Sequence, residues 1–179
     1  PNMKTIAAHY SKMIITPDAI VVGLSFGGMI LTEIALQRPK IRAILLSSIP
    51  SKLYFPLAYD WLLKFRLHKL VQKWQISLGS PVFKRIMNNT QDAPTLRKTQ
   101  EMLDNTDIYI FKQSIEAMRT WKNTTIPANI IQIHGNKDDI LPKTHQIDYL
   151  VDGGSHFMVW EKAGTVSKIL QHIILSYKS

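Results

Sequence analysis

The 179-residue chain contains no cysteine. That absence excludes disulfide scaffolds, thiolate metal sites and a cysteine nucleophile, and nothing in the sequence calls for an oxidising compartment. A cytoplasmic location is therefore the expectation. Long apolar runs are missing too: no stretch approaches the roughly 18 residues needed to cross a bilayer, and the opening "PNMKTIAAHY" does not read as a signal peptide. No membrane insertion is expected. Acidic residues are scarce, with 13 Asp and Glu against 22 Lys and Arg and a formal net charge of +9. Such a balance suits phosphate or anionic-lipid partners. The basic residues are scattered, however, no run of five occurs, and no zinc-finger, RNA-recognition or basic-zipper pattern is present. No nucleic-acid partner is expected. His9, His68, His145 and His172 show no metal-ligand spacing, so neither a metal nor a cofactor is expected.

What is present is a 45% hydrophobic fraction, enough for one sizeable core. Four short segments are apolar and rich in β-branched residues: "AIVVGLS" (19–25), "RAILLSS" (42–48), "NIIQIHG" (129–135) and "QIDYLVDG" (146–153). Their near-continuous apolarity suits a parallel sheet covered on both faces. Helical patterns accompany them in "NMKTIAAHYSKMI" (2–14), "GGMILTEIALQRP" (27–39, stopped by Pro39) and "GTVSKILQHIILSY" (164–177). Alternating strands and helices place the chain in the α/β class, with a mostly parallel sheet flanked by helices.

Residues 50–127 break that alternation, with amphipathic helices and no convincing strand. In "WLLKFRLHKLVQKW" (61–74), Leu63, Leu67, Leu70, Val71 and Trp74 would share one helical face. In "DIYIFKQSIEAMRTW" (107–121), Ile108, Phe111, Ile115 and Met118 recur at helical spacing behind a capping Asp107. The expected organisation is a core in two parts, 1–49 and 128–179, with a helical cap at 50–127. The aromatic residues Tyr54, Phe55, Trp61, Phe65 and Trp74 in that insertion suggest a hydrophobic moiety in any ligand.

Chemistry concentrates at three strand ends. Gly23-Leu24-Ser25-Phe26-Gly27 fits G-x-S-x-G between a buried strand and a helix, the context in which that motif holds a serine in a sharp elbow. The glycines at 23 and 27 keep the elbow nearly free of side chains, and Gly28 lets the helix pack close to the strand. The helix N-terminus directs its dipole at Ser25. Downstream, "HGNKDDILP" places Asp138 in a turn after the third strand, favoured by its spacing from Gly135 over the neighbouring Asp139. His156 then follows the small-residue turn of "DGGSHFMVWEK". His134, at the end of an apolar strand, reads as a structural hydrogen-bonding residue. Ser47 and Ser48 read as strand-end serines, and Asp148 and Asp152 as strand-end or surface acids.

These three segments, in the order Ser, Asp, His, resemble the α/β-hydrolase superfamily, and the resemblance covers nearly all of the chain. It implies that Ser25 is the nucleophile, His156 the general base and Asp138 its orienting carboxylate, with the Phe26 backbone N–H as one oxyanion donor. It implies a serine hydrolase acting on an ester, thioester or related acyl bond of a small molecule through an acyl-enzyme; the alternative is a ligand-binding protein of the same fold without turnover. In the superfamily a second oxyanion donor comes from a loop several tens of residues before the elbow. Only 24 residues precede Ser25 here, and the first residue is Pro1. The expectation is therefore a chain lacking the superfamily's N-terminal strands: part of a longer protein that supplies that donor, with an unusually short member of the superfamily as the alternative.

Overall fold

The computed structural model describes residues 2–70 and 93–177. Helix α1 (Met3–Ser11) opens on a reciprocal cap: the Asn2 side chain accepts from Thr5 N at 2.9 Å, while the Thr5 hydroxyl accepts from Asn2 N at 3.1 Å. Two orphan N–H groups are satisfied that way. Strand β1 (Ile20–Leu24) runs directly into α2 (Phe26–Gln37), which ends just before Pro39 because the residue preceding a proline is pushed out of the helical region. Strand β2 (Arg42–Leu46) follows, then α3 (Leu57–Lys64), α4 (Ala93–Asp104) and α5 (Ile108–Thr120). Strand β3 (Ile130–Gly135), strand β4 (Tyr149–Val151), the short α6 (Met158–Glu161) and α7 (Ala163–Ser176) complete the described chain.

The four strands form one parallel sheet in the order β1-β2-β3-β4. Alternation along β2 explains its unbroken apolarity. Ala43 and Leu45 join a core with Met3, Ala7, Met29 and Ile34 of α1 and α2, while Ile44 and Leu46 join Ile133, Val151, Met158, Val166 and Ile173 on the opposite face. Successive strand residues point to opposite faces, and both faces are covered. Helix α2 is buried from Gly28 to Ala35 because the sheet lies on one side of it and α1 on the other. The Arg38 guanidinium holds the approach to β1 in place by donating to the carbonyls of Ser11, Ile14 and Thr16 at 3.0, 2.8 and 3.1 Å.

Among the described residues β1 pairs with β2 alone. On its open side a groove of about 860 Å³ runs between α1, α2 and α5, lined by Val22, Leu24, Phe26, Tyr109 and Ile110 among others.

The helical segment differs from its sequence reading in one respect. No single helix spans 61–74: α3 ends at Lys64, and Arg66 takes a left-handed φ of 53° that an α-helix cannot propagate. Leu70, expected on an apolar face, is 74% exposed at the end of a 3-10 turn over Leu67–Leu70. Val71 and Trp74 lie outside the described residues. The second expected helix is present as α5, with the Asp107 carboxylate accepting from Tyr109 N and Ile110 N at 2.7 and 3.0 Å.

Candidate active site

Ser25 joins β1 to α2 with φ 49° and ψ −119°, a positive φ that non-glycine residues rarely adopt. The surrounding structure holds it there from three directions. Its N–H donates to Leu46 O of β2 at 2.9 Å, its carbonyl accepts from Gly28 N at 3.0 Å, and the same carbonyl accepts from the Ser48 hydroxyl at 2.7 Å. Local strain of this kind persists only where neighbours over-determine the backbone.

The requirement for a missing side chain falls on two of the three elbow glycines. A Cβ on Gly23 would lie 2.7 Å from Gly27 O, and one on Gly28 would overlap the Ser48 side chain. Gly27 differs from its sequence reading: a Cβ there meets nothing within 4 Å, because the residue faces the groove beside β1.

Two further loops converge on Ser25. The turn after β3 carries Asp138, whose Oδ1 accepts from Ile140 N and Leu141 N at 2.9 and 3.0 Å. The loop after β4 carries His156, 6% exposed, with its ring edge-on to Phe157. The loops are joined backbone to backbone: Lys137 N donates to Gly154 O at 2.9 Å, Asn136 N donates to Val151 O at 3.1 Å, and the Asn136 side chain bridges Gly153 N and Asp152. A Cβ on Gly135 would overlap the Gly154 carbonyl, so the two glycines set how closely the loops approach.

The result is a continuous hydrogen-bonded series. Asp138 Oδ2 lies 2.9 Å from His156 Nδ1, and His156 Nε2 lies 2.9 Å from Ser25 Oγ. With a carboxylate facing Nδ1, the neutral ring carries its proton there and leaves Nε2 as an acceptor for the Ser25 hydroxyl. Burial by itself would raise the Asp138 pKa, but hydrogen bonds from His134, His156 and Leu141 and the charge of His156 outweigh it and hold the carboxyl well below the usual carboxylate range. The arrangement can accept a proton from Ser25 and stabilise the resulting imidazolium. Phe26 is the first residue of α2, so its N–H has no intrahelical acceptor and lies beside the serine.

The remaining singled-out residues have other surroundings. Asp139 is exposed, Asp148 Oδ2 accepts from Gln132 N at 2.7 Å, and Asp152 accepts from Asn136. The rings of His9, His145 and His172 pack against Tyr10, Tyr54 and Tyr149. Among the described residues no group of three or more His, Asp or Glu could hold a metal ion, and no helix is long and apolar enough to cross a membrane. Phe55 and Tyr54 pack into the core, whereas Trp61 and Phe65 are 65% and 64% exposed. Trp74 lies outside the described residues. Ser48, which the sequence presents as a strand-end serine, braces the elbow through the Ser25 carbonyl. Its signal was the pairing of a strand-end serine with a helix glycine that leaves room for it.

No family model and no curated protein sequence matches the chain. Solved structures do. A thermophilic esterase from Thermogutta terrifontis superposes with a TM-score of 0.77 at 13% identity, covering 98% of this chain and 73% of that one. A structure from work on carboxylesterases of the ammonia-oxidizing thaumarchaeon Nitrososphaera gargenis gives 0.70 at 18% identity, covering 98% and 72%. The chain has the α/β-hydrolase fold. The N-acyl homoserine lactonase AidH shares this α/β-hydrolase architecture, with a TM-score of 0.61 at 14% identity over 97% of this chain and 70% of that one. Within the fold, the Ser25 elbow, the Asp138 turn and the His156 loop all stand just beyond the C-terminal ends of parallel strands, where open α/β sheets place their ligands.

Proposed function

We propose that this chain carries the active site of a serine hydrolase that cleaves an ester, thioester or related acyl bond of a small molecule. The observation that carries the reading is the series Ser25 Oγ, His156 Nε2 and Nδ1, and Asp138 Oδ2, with both contacts at 2.9 Å, mounted on a backbone strained at the nucleophile. The esterases and the lactonase among the structural neighbours support the same class of chemistry.

In the proposed reaction Ser25 Oγ attacks the acyl carbon as His156 Nε2 removes its proton, and Asp138 stabilises the imidazolium. The Phe26 N–H donates to the oxyanion of the tetrahedral intermediate. His156 returns the proton to the leaving alcohol or thiol, and an acyl group remains on Ser25. Water, activated by the same imidazole, then attacks that acyl-enzyme and releases the acid.

A fluorophosphonate probe should label the wild-type protein at Ser25, and Ser25→Ala should abolish labelling. A panel of p-nitrophenyl esters of increasing acyl length would define the substrate class. Absence of both labelling and ester turnover, with ligand binding unchanged in Ser25→Ala, would favour a binding protein of the same fold.

A further inference from the structure

The Asp138 carboxylate has a second histidine. His134, in β3, is 1% exposed, and its Nε2 stands 3.3 Å from Asp138 Oδ2 and 3.2 Å from the Leu141 carbonyl oxygen. Both neighbours are acceptors, so Nε2 must carry a proton in whichever charge state the ring adopts. The carboxylate is then met by four donors. Ile140 N and Leu141 N serve Oδ1, while His156 Nδ1 and His134 Nε2 converge on Oδ2.

We propose that His134 is a positioning residue of the site, whose Nε2–H fixes Asp138 Oδ2 toward His156 and moderates the basicity that this oxygen presents to the imidazole. The inference rests on the reading of Ser25, His156 and Asp138 given above. The two backbone bonds to Oδ1 tether only one oxygen. Rotation of the carboxylate about that tether would move Oδ2 out of line with His156 Nδ1, and His134 blocks it from the strand side. Sharing also has an electrostatic consequence. A carboxylate oxygen that accepts a bond from His134 presents less negative charge to His156, so removing that donor leaves more negative charge facing the imidazole and favours its protonated form.

Among the described residues, the titratable groups facing His134 are Asp138, from the turn after its own strand, and His156, from the loop after β4 and through the shared oxygen. The flanking strands contribute no charge beside it: β4 brings Leu150 opposite His134, and Ser47 follows the end of β2. Gln132, two positions back in β3, is neutral and accepts from the Thr144 hydroxyl at 3.0 Å.

The test compares His134→Leu, which has no donor, with His134→Gln, whose amide nitrogen reaches the place of Nε2. For p-nitrophenyl butyrate hydrolysis, His134→Leu should lower plateau kcat/KM about tenfold and move the acid-limb midpoint up by about half a pH unit or more, with His134→Gln restoring both. A His134→Leu midpoint equal to wild type, or equal displacement in both variants, would overturn the proposal by reducing His134 to packing. Should His134→Leu not fold, nitrogen-15 NMR of the wild-type chain decides, because Nε2 of His134 must remain protonated from pH 5 to 9. A bare Nε2 at any pH in that range rejects the proposal. Fluorophosphonate labelling of wild type at Ser25 is scored separately. Its failure removes the hydrolase reading, while the NMR result still reports whether His134 Nε2 carries the proton that donation requires.

Discussion

The Ser48 hydroxyl donates to the main-chain carbonyl of Ser25 at 2.7 Å from the space that Gly28 leaves empty. A strand-end side chain therefore braces the strained residue through its own carbonyl, and the glycine is required because the serine is there. Ser48→Ala should cost about 1–2 kcal/mol of stability through the lost buried hydrogen bond. Gly28→Ala should cost more, because its new methyl overlaps the Ser48 side chain. The double variant Gly28→Ala, Ser48→Gly should be more stable than the sum of its two single effects predicts, a coupling that denaturant titration of wild type, Gly28→Ala, Ser48→Gly and the double variant measures directly.

Among the glycines of the site, Gly23 and Gly135 permit a close backbone approach, whereas Gly27 does not. Gly135→Ala drives a methyl into the Gly154 carbonyl, a backbone atom that no rotamer change can relieve. Its expected cost is about 3 kcal/mol or more, with loss of ester turnover as the Asp138 and His156 loops separate. Gly27→Ala places its methyl in open space within α2, and stability should stay level or rise by up to about 1 kcal/mol. Parallel thermal melts and ester assays of the two variants check both halves of this contrast.

The fold was legible because burial on both sheet faces writes itself into β2 as the unbroken apolar run Ala43–Leu46, and because G-x-S-x-G lies where a strand passes into a helix. Segment lengths were less legible. The stretch 146–153 reads as a strand of eight residues, yet only Tyr149–Val151 pairs. Asp148 explains the difference: its carboxylate, rather than a main-chain carbonyl, takes the N–H of Gln132, and Gln132 Nε2 takes the carbonyl of Gln146. The helix expected through 61–74 failed at Arg66, whose left-handed backbone no apolar period reveals. At the candidate site, Ser25, Asp138 and His156 stood out as motif residues at strand ends. Ser48 and His134 read only as a strand-end serine and a structural hydrogen-bonding residue: the partner of Ser48 lies across the sheet at Ser25, and that of His134 is brought back to it by the turn after β3.

Glu33 illustrates a contact of that kind. It is 3% exposed in the middle of α2, and its Oε1 accepts from Trp121 Nε1 at 2.7 Å, tying the chain leaving α5 to the helix that begins at the elbow. An acidic residue inside "MILTEIAL" implies a buried partner, since an unpaired buried carboxyl is costly. Trp121→Phe keeps most of the ring and removes the donor, and should lower stability by about 1–3 kcal/mol. Glu33→Gln keeps an acceptor oxygen and should cost less. Equal losses in urea denaturation would show that packing rather than the hydrogen bond dominates.

Asp138 is expected to leave two separate signatures. Its carboxyl is held below its ordinary value in the folded chain, so the unfolded chain binds its proton more readily. The stabilisation it provides is therefore fully present above the unfolded pKa of about 4 and is lost progressively as the pH falls below that value toward the depressed folded one. Asp138→Asn removes this ionisation, and its stability should fall less steeply than that of wild type between about pH 5 and pH 3. The same substitution should lower ester turnover about a thousandfold or more, because an amide neither orients the imidazole in the required tautomer nor stabilises its cation. Asp139→Asn, at an exposed neighbour, should leave turnover within about twofold of wild type. If Asp139→Asn gave the large loss and Asp138→Asn the small one, the acid would have to be reassigned. A pH series of denaturation midpoints then reports the depressed carboxyl independently of turnover, because removing a group with a depressed folded pKa flattens the slope.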